Sequence, residues 1–269
     1  MTPSPGRSSD RAVSPKDAFV TVYGRKPVLE ALADPALVVD KVVLAEGASG
    51  PAVRPLLDAA AARGVPVRRA SPQRVKVLSG NGRQDQGVLA DVVAPRMRPL
   101  EHFLDDLPPD ADARVLVLDG LTNPANVGMI LRSATGAGLE GVLLPRRGAP
   151  AIDPLVVKAS AGVAFHAPVL RSRTAADGLA ALAEAGFVLL GMDGPGPGDG
   201  RGAPSLFETD LPGRVVLVVG GETDGLTDGV REELHGTVTI PLAGGVESLN
   251  AACAATVACF ELARRAALS

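Results

Sequence analysis

Two segments of this chain are apolar almost without interruption, Arg114-Val-Leu-Val-Leu-Asp119 and Val215-Val-Leu-Val-Val-Gly220, and each runs straight into a polar, glycine-bearing loop. A strand with one wet face alternates apolar and polar side chains. A continuous run of valine and leucine instead requires cover on both faces, the situation of a central strand in a parallel sheet. Similar runs recur at Gly141–Leu144, Phe187–Gly191 and Thr237–Ile240, with helical spacing between them, so residues 111–269 are expected to form a doubly wound α/β domain. Its closing helix is expected over Leu249–Ala267, with Leu249, Ala252, Cys253, Val257 and Phe260 along a core face.

Residues 18–95 repeat the alternation on a smaller scale. Helical patches at Pro27–Leu32, Ala52–Arg63 and Pro72–Leu78 are interleaved with strand-like runs at Lys41–Ala45, Val65–Arg68 and Gly87–Val92, a small α/β unit of its own. The 269 residues therefore divide into two modest domains. Residues 1–17, rich in Pro, Ser and charge, are expected to be a disordered tail, with order beginning near Phe19. The prolines of Ala94-Pro-Arg-Met-Arg-Pro99 make 96–110 an expected linker, and Asp193–Pro204 an expected flexible loop.

The formal net charge of −3 looks unpromising for a nucleic-acid partner, but it is unevenly spread. Residues 1–95 carry 13 Lys and Arg against 9 Asp and Glu, whereas residues 96–269 carry 14 against 21. The first part is thus the candidate for gripping a polyanion, through Arg25, Arg63, Arg68, Arg69, Arg74, Lys76 and Arg83, with Arg7, Arg11 and Lys16 in the tail. A solvated basic rim is the plain alternative. With no Trp and a single Tyr, base stacking on an aromatic platform is not expected. Three scattered histidines and two cysteines six residues apart give no ligand spacing, so no metal is expected, and Cys253 and Cys259 are expected to be buried free thiols. The N-terminus lacks a signal-like apolar stretch and no run reaches membrane-spanning length, which makes a cytoplasmic location and no membrane partner the expectation.

Ligands of parallel α/β sheets gather at the carboxyl ends of the strands, and three loops there are unusual. In Asp119-Gly-Leu-Thr-Asn-Pro-Ala-Asn-Val-Gly-Met-Ile-Leu-Arg132, Asn123 and Pro124 start a helix whose core stripe leaves Asn126, Gly128 and Arg132 to one side. A capped helix with a solvated arginine would read the same way. The second loop carries Gly220, Gly221, Glu222 and Gly225, where backbone can approach a ligand closely, although Glu222 could merely complement a helix dipole. The third, Ile240-Pro-Leu-Ala-Gly-Gly-Val-Glu-Ser-Leu-Asn250, offers Ser248 as an N-cap and places Asn250 in the first helical turn. No dinucleotide or P-loop fingerprint occurs in the chain, which argues against an oxidoreductase or a nucleotide triphosphatase.

Together and in this order, the three loops resemble the motifs of the SpoU/TrmH family of RNA ribose 2′-O-methyltransferases, in the knotted SPOUT superfamily. Lys158-Ala-Ser-Ala-Gly162 with Pro168-Val169 resembles a further family segment, and Val22-Tyr-Gly-Arg-Lys-Pro-Val-Leu-Glu-Ala-Leu32 with Gln86-Gly-Val88 resembles its small RNA-binding domain. Asp85 stands where a histidine is usual, Gly221 where Ser or Ala is usual, and Ala251-Ala-Cys253 where Val-Ser-Val is common. The resemblance implies a deep trefoil knot, a homodimer bordering the active site, and methyl transfer from S-adenosylmethionine to a ribose 2′-hydroxyl. Arg132, Asn126, Glu222, Ser248 and Asn250 would be catalytic, and Gly220, Ile240 and Leu249 would line the cofactor pocket. Arginine stays protonated, so Arg132 is read as a fixed cation for the developing oxyanion, held by the other four. The implied substrate is 23S rRNA, in a housekeeping or an antibiotic-resistance role. Transfer RNA and a non-catalytic RNA-binding or ribosome-assembly role are the alternatives.

Overall fold

The computed structural model describes residues 15–80, 82, 84–192, 203–222 and 224–268. The first described element is a helical turn, α1 (Pro15–Ala18), followed by β1 (Phe19–Tyr23), α2 (Arg25–Ala33), β2 (Val39–Ala45), α3 (Arg54–Ala62), β3 (Val67–Ala70), α4 (Pro72–Ser79) and β4 (Val88–Val93). These strands form one sheet in the order β1-β4-β2-β3, with β4 antiparallel to both neighbours and β2 parallel to β3. Val20, Val22, Val42 and Leu44 pack with α2 and α3 on one face, and Tyr23, Val43 and Leu89 meet Val75 of α4 on the other. The alternation is the period-two geometry of a strand, so each strand serves two small cores.

The second sheet is built from β5 (Arg98–Pro99), α5 (Leu100–Asp106), β6 (Ala113–Leu118), α6 (Pro124–Gly136), β7 (Gly141–Leu143), α7 (Pro154–Ala159), β8 (Val169–Arg171), α8 (Ala175–Glu184), β9 (Val188–Met192), β10 (Arg214–Val219), α9 (Asp228–Arg231), β11 (Gly236–Val238) and α10 (Ala251–Ala266). Its seven strands run in the order β11-β9-β10-β6-β7-β8-β5, and every pair is parallel. Leu116, Leu118, Leu217 and Val219 pack toward α6 and α10, while Val115, Val117, Val216 and Val218 pack toward α5 and α8. Cover on both faces is what the two uninterrupted apolar runs require.

Three expectations are corrected here. The stretch 96–110 is not a linker: β5 pairs with β8 at the sheet edge, where proline is tolerated, and α5 buries Leu100 and Phe103. The tail does not extend to residue 17, because Asp17 of α1 is buried and accepts from Arg146 Nη2; Arg7 and Arg11 lie outside the described residues. The closing helix starts two residues later than expected, and of the expected core face it buries only Ala252 fully. Ala251, Ala252, Ala255, Ala258, Cys259 and Leu262 are buried, whereas Leu249, Cys253 and Phe260 are exposed. Alanines let α10 lie close against α6, and Phe260 is left outside. Cys253 is therefore an exposed thiol; burial pushes the Cys259 thiol up to about 12. Residues 193–202 of the expected flexible loop lie outside the described residues.

Gly128 answers to packing. A Cβ there would sit 2.6 Å from both Ala159 Cβ and the Val156 carbonyl oxygen, so α6 and α7 pack backbone to backbone. Gly128→Ala is expected to cost about 1–3 kcal/mol, the range for overpacking a filled core, seen as a lowered midpoint in thermal or urea unfolding. An unchanged midpoint would show that α7 yields freely.

Candidate active site

Three loops converge at the carboxyl ends of β10, β6 and β11. The first leaves β6 at Asp119, which is buried and accepts from Thr227 N through Oδ2 at 2.7 Å. Asn123 then caps α6, accepting from Ala125 N at 2.9 Å, with Pro124 in the first turn as expected of this pair. This start aims Asn126, one of the few buried polar side chains, toward the loop after β10.

That second loop is a tight glycine hairpin. Gly221 and Gly225 exchange backbone hydrogen bonds of 3.0 and 3.1 Å. A Cβ on Gly220 would lie 2.4 Å from the Gly225 carbonyl carbon, and one on Gly221 would lie 2.6 Å from the Gly120 oxygen. No side chain fits either place, so Gly221, a departure from the Ser or Ala that the resemblance implies, is matched to the close passage of Gly120. The hairpin presents Glu222, whose Oε1 accepts from Asn126 Nδ2 and, at 2.8 Å, from Asn250 Nδ2.

Asn250 comes from the third loop and is the N-cap of α10, a place expected for Ser248. Its Oδ1 accepts from Ala252 N at 2.9 Å and Cys253 N at 3.3 Å, which aims its amide nitrogen at Glu222 and, at 3.3 Å, at Asn126 Oδ1. Capping and carboxylate orientation are thus done by one side chain. Asn126, Glu222 and Asn250 form a closed polar cluster in which both amides donate to one carboxylate oxygen.

Beside this cluster lies a cleft of about 450 Å³, lined by Gly220, Thr239, Ile240, Ser248, Leu249 and Asn250 among others. The three residues expected to line a cofactor pocket therefore share one cavity. Glu247 lines it as well, a carboxylate that sequence patterning does not single out. A smaller cavity of about 140 Å³, walled by Thr122, Asn123, Asn126 and Thr227, meets the first at Glu222.

Arg132 is placed differently from the expectation. It is exposed and has no hydrogen-bond or ion-pair partner among the described residues. Six residues beyond Asn126, roughly 9 Å along the helix, it lines a shallow groove between α6 and α10 with Met129, Ser133 and Cys253. Asn126, Glu222 and Asn250 bind one another instead of the guanidinium, and Ser248 lies on the wall of the cleft. Among the described residues, no group of three or more His, Cys, Asp or Glu could hold a metal ion.

The expected polyanion-binding residues also divide. Arg25, Arg68, Arg74 and Lys76 are exposed with no side-chain partner among the described residues. Arg69 instead donates to the carbonyls of Ala45 and Ala48, at 3.2 and 2.6 Å, and Arg63 to four carbonyls at the end of α2 and beyond it, including Asp34 at 2.8 Å. These two are fastened to the backbone rather than offered to a ligand. The Gln86-Gly87 pair has a visible task. Gln86 holds a positive φ of 49°, Asp85 Oδ1 accepts from Gly87 N at 2.8 Å, and Gln86 Oε1 accepts from Arg25 N at 3.0 Å, fixing where Arg25 leaves the fold. Arg83 lies outside the described residues.

Residues 113–260 match the model of the SpoU rRNA Methylase family, over half of the chain. The chain belongs to the SpoU rRNA methylase family. Residues 21–98 of this SpoU-family protein match a second model, RNA 2'-O ribose methyltransferase substrate binding. Among curated relatives, the 23S rRNA (guanosine-2'-O-)-methyltransferase RlmB of Xanthomonas campestris pv. campestris is 35% identical over 91% of this chain and 96% of its own length. Two solved structures share the fold and are complexes with AdoMet. The SpoU methyltransferase AviRb from Streptomyces viridochromogenes aligns over 98% of this chain and 96% of its own, with a TM-score of 0.60 and 28% identity. An rRNA methyltransferase from Sinorhizobium meliloti aligns over 94% and 89%, with a TM-score of 0.61 and 27% identity.

Asp119 and Glu247 are the site residues that sequence reasoning passes over. Asp119 has a signal, as the charged end of a buried strand. Glu247 has only its place within the third loop.

Proposed function

We propose that this SpoU-family protein transfers a methyl group from S-adenosylmethionine to a ribose 2′-hydroxyl of RNA, with 23S rRNA as the substrate. The observation that carries this is the cleft shared by Gly220, Ile240 and Leu249 beside the Asn126–Glu222–Asn250 cluster. Gly220 contributes bare backbone to the wall of the cleft, a surface that suits the adenine and ribose of this cofactor. Two carboxylates in the lining, Glu222 and Glu247, suit its positive charge. Support also comes from the RlmB relative and the AdoMet complexes.

When bound, S-adenosylmethionine supplies an electrophilic methyl on a sulfonium. The chain's own residues then have to bring up and stabilise a ribose oxygen that is protonated in water. Arg132, which lies outside the cleft of its own chain, is the fixed cation for that oxygen as it gains negative charge, brought to it across the homodimer face, with the planar fork to hold an adjacent phosphate. Asn126 and Asn250 hold the Glu222 carboxylate toward the junction of the two cavities, and Ser248 offers a hydroxyl on the wall.

The active assembly is a homodimer across the α6–α10 face. That face exposes Met129 and Cys253 beside Arg132, and α10 exposes Phe260 farther along, an apolar surface that a second copy would cover, bringing the interface to the border of the site. A deep trefoil knot fits the topology: β11 lies at the sheet edge, yet the chain returns through 239–250 so that α10 packs on α6 at the sheet centre. A cytoplasmic location accompanies the rRNA substrate, and no helix among the described residues is long and apolar enough to cross a membrane.

The test is to incubate the purified protein with S-adenosylmethionine and unmodified 23S rRNA, and to map 2′-O-methyl groups. One modified ribose in 23S rRNA is the expected result. Modification of tRNA alone would move the substrate to the alternative class, and no modification of either by folded protein that binds S-adenosylmethionine would overturn the enzymatic reading.

A further inference from the structure

At the carboxyl ends of β7 and β8 the backbone pairing continues past the strands, with Arg146 N donating to Ser172 O at 3.0 Å and Arg147 N to Arg173 O at 3.1 Å. This brings Arg146, Arg147, Arg171 and Arg173 together at one edge. Two carboxylates face them. Asp17 is buried and accepts from Arg146, and Asp177, exposed on the first turn of α8, accepts from Arg173 at 3.1 Å. Arg147 is exposed and has no hydrogen-bond or ion-pair partner among the described residues. Arg171 donates to the Leu144 carbonyl at 2.7 Å, but its buried Nε has no hydrogen-bond partner, and burial pushes its guanidinium down to about 10. It therefore stays cationic at neutral pH, and the edge carries more positive than negative charge.

The position of this edge is what gives it meaning. Strand order places β10, β6, β7 and β8 side by side, so the arginines lie up to three strand spacings, roughly 14 Å, from the loop that presents Glu222. On its other side lies the first domain. Asp17 of α1 holds Arg146, and Tyr23 at the end of β1 makes a long hydrogen bond of 3.5 Å to Asp153, two residues before Arg25 leaves the same domain. The edge thus sits between the exposed cations of the first domain and the reaction cleft.

We propose that Arg147 and Arg173, braced by Arg146 and Arg171, bind the phosphodiester backbone of the RNA where it passes from the first domain to the cleft. The proposal rests on the RNA substrate read above. Guanidinium forks suit phosphate oxygens, and the Arg173–Asp177 pair is open to water and salt, so a phosphate can displace it. Arg146 and Arg171 supply field and rigidity rather than a direct grip, since one is held by Asp17 and the other is half-buried and committed to the Leu144 carbonyl.

The test compares RNA affinity of the full-length protein with that of an Arg147→Glu, Arg173→Glu double variant across a salt series, using a 23S rRNA fragment and filter binding. Affinity at low salt should fall by on the order of tenfold or more, and the slope of log affinity against log salt should drop by about 2, one for each phosphate that is no longer neutralised. S-adenosylmethionine affinity and the unfolding midpoint should not change, and Arg147→Lys with Arg173→Lys should restore most of the binding. Unchanged affinity and slope would overturn the proposal, as would an equal loss in the lysine variant with a lowered midpoint. Binding needs no turnover, so a wild-type protein that binds RNA without methylating it would sink the enzymatic reading and leave this one standing.

Discussion

Arg132→Ala is expected to lower the rate of RNA methylation on the order of 10³-fold, the effect of removing one preorganised group that stabilises an oxyanion. That is about 4 kcal/mol of transition-state stabilisation. Affinity for S-adenosylmethionine should be unchanged, because the cleft of Gly220, Ile240 and Leu249 does not include Arg132. The fold should also be intact, since the side chain is exposed and bonded to nothing among the described residues. Arg132→Lys keeps the charge without the planar fork and should recover only part of the rate. Single-turnover methylation at saturating cofactor measures both. A rate within about tenfold of wild type would exclude Arg132 as the oxyanion's partner.

Asn126→Asp is the sharper test of the polar cluster, because it alters charge and hardly any volume. In the native protein the Asn126 amide donates to Glu222 Oε1, which also accepts from Asn250. The substitution removes the donor and leaves two carboxylates in contact on a 2% exposed side chain. The expected cost near pH 7 is about 3 kcal/mol or more, the scale of a buried charge left without compensation, and methylation should be lost with it. The new carboxyl binds a proton more readily folded than unfolded, so the deficit shrinks as pH falls and the protonated group donates again to Glu222. Asn126→Ala loses the bond donated to Glu222 and the one accepted from Asn250, adds no charge and should show no such recovery. Urea unfolding of both variants at pH 5 and pH 8 separates the two cases, and equal deficits at both pH values in Asn126→Asp would show that the carboxylates move apart.

Much of the site is legible in the sequence because its backbone requirements are local. Asn123-Pro124 announces a helix start, and Gly220, Gly221 and Gly225 announce a loop that tolerates no side chain. Arg63 and Arg69 mislead for the opposite reason. An arginine that ends a backbone segment by donating to its carbonyls has the same sequence signature as one offered to a phosphate. The face of α10 misleads because its apolar residues nearly encircle it. Only close packing on α6 makes alanine, rather than phenylalanine, the inward residue.

By itself the sequence determined the layered parallel sheet, since uninterrupted valine and leucine runs are stable only when both faces are dry. It also determined the order of the three loops, and with it the family. Only the tertiary structure decided which side chains meet. Asn126 lies 96 residues from Glu222 and 124 from Asn250, and nothing local to any of the three specifies that both amides will donate to one carboxylate oxygen. That choice is made by strand order, which sets β10 beside β6 and brings the start of α10 back over both. The same order leaves Arg132 outside the cluster, exposed in the groove between α6 and α10.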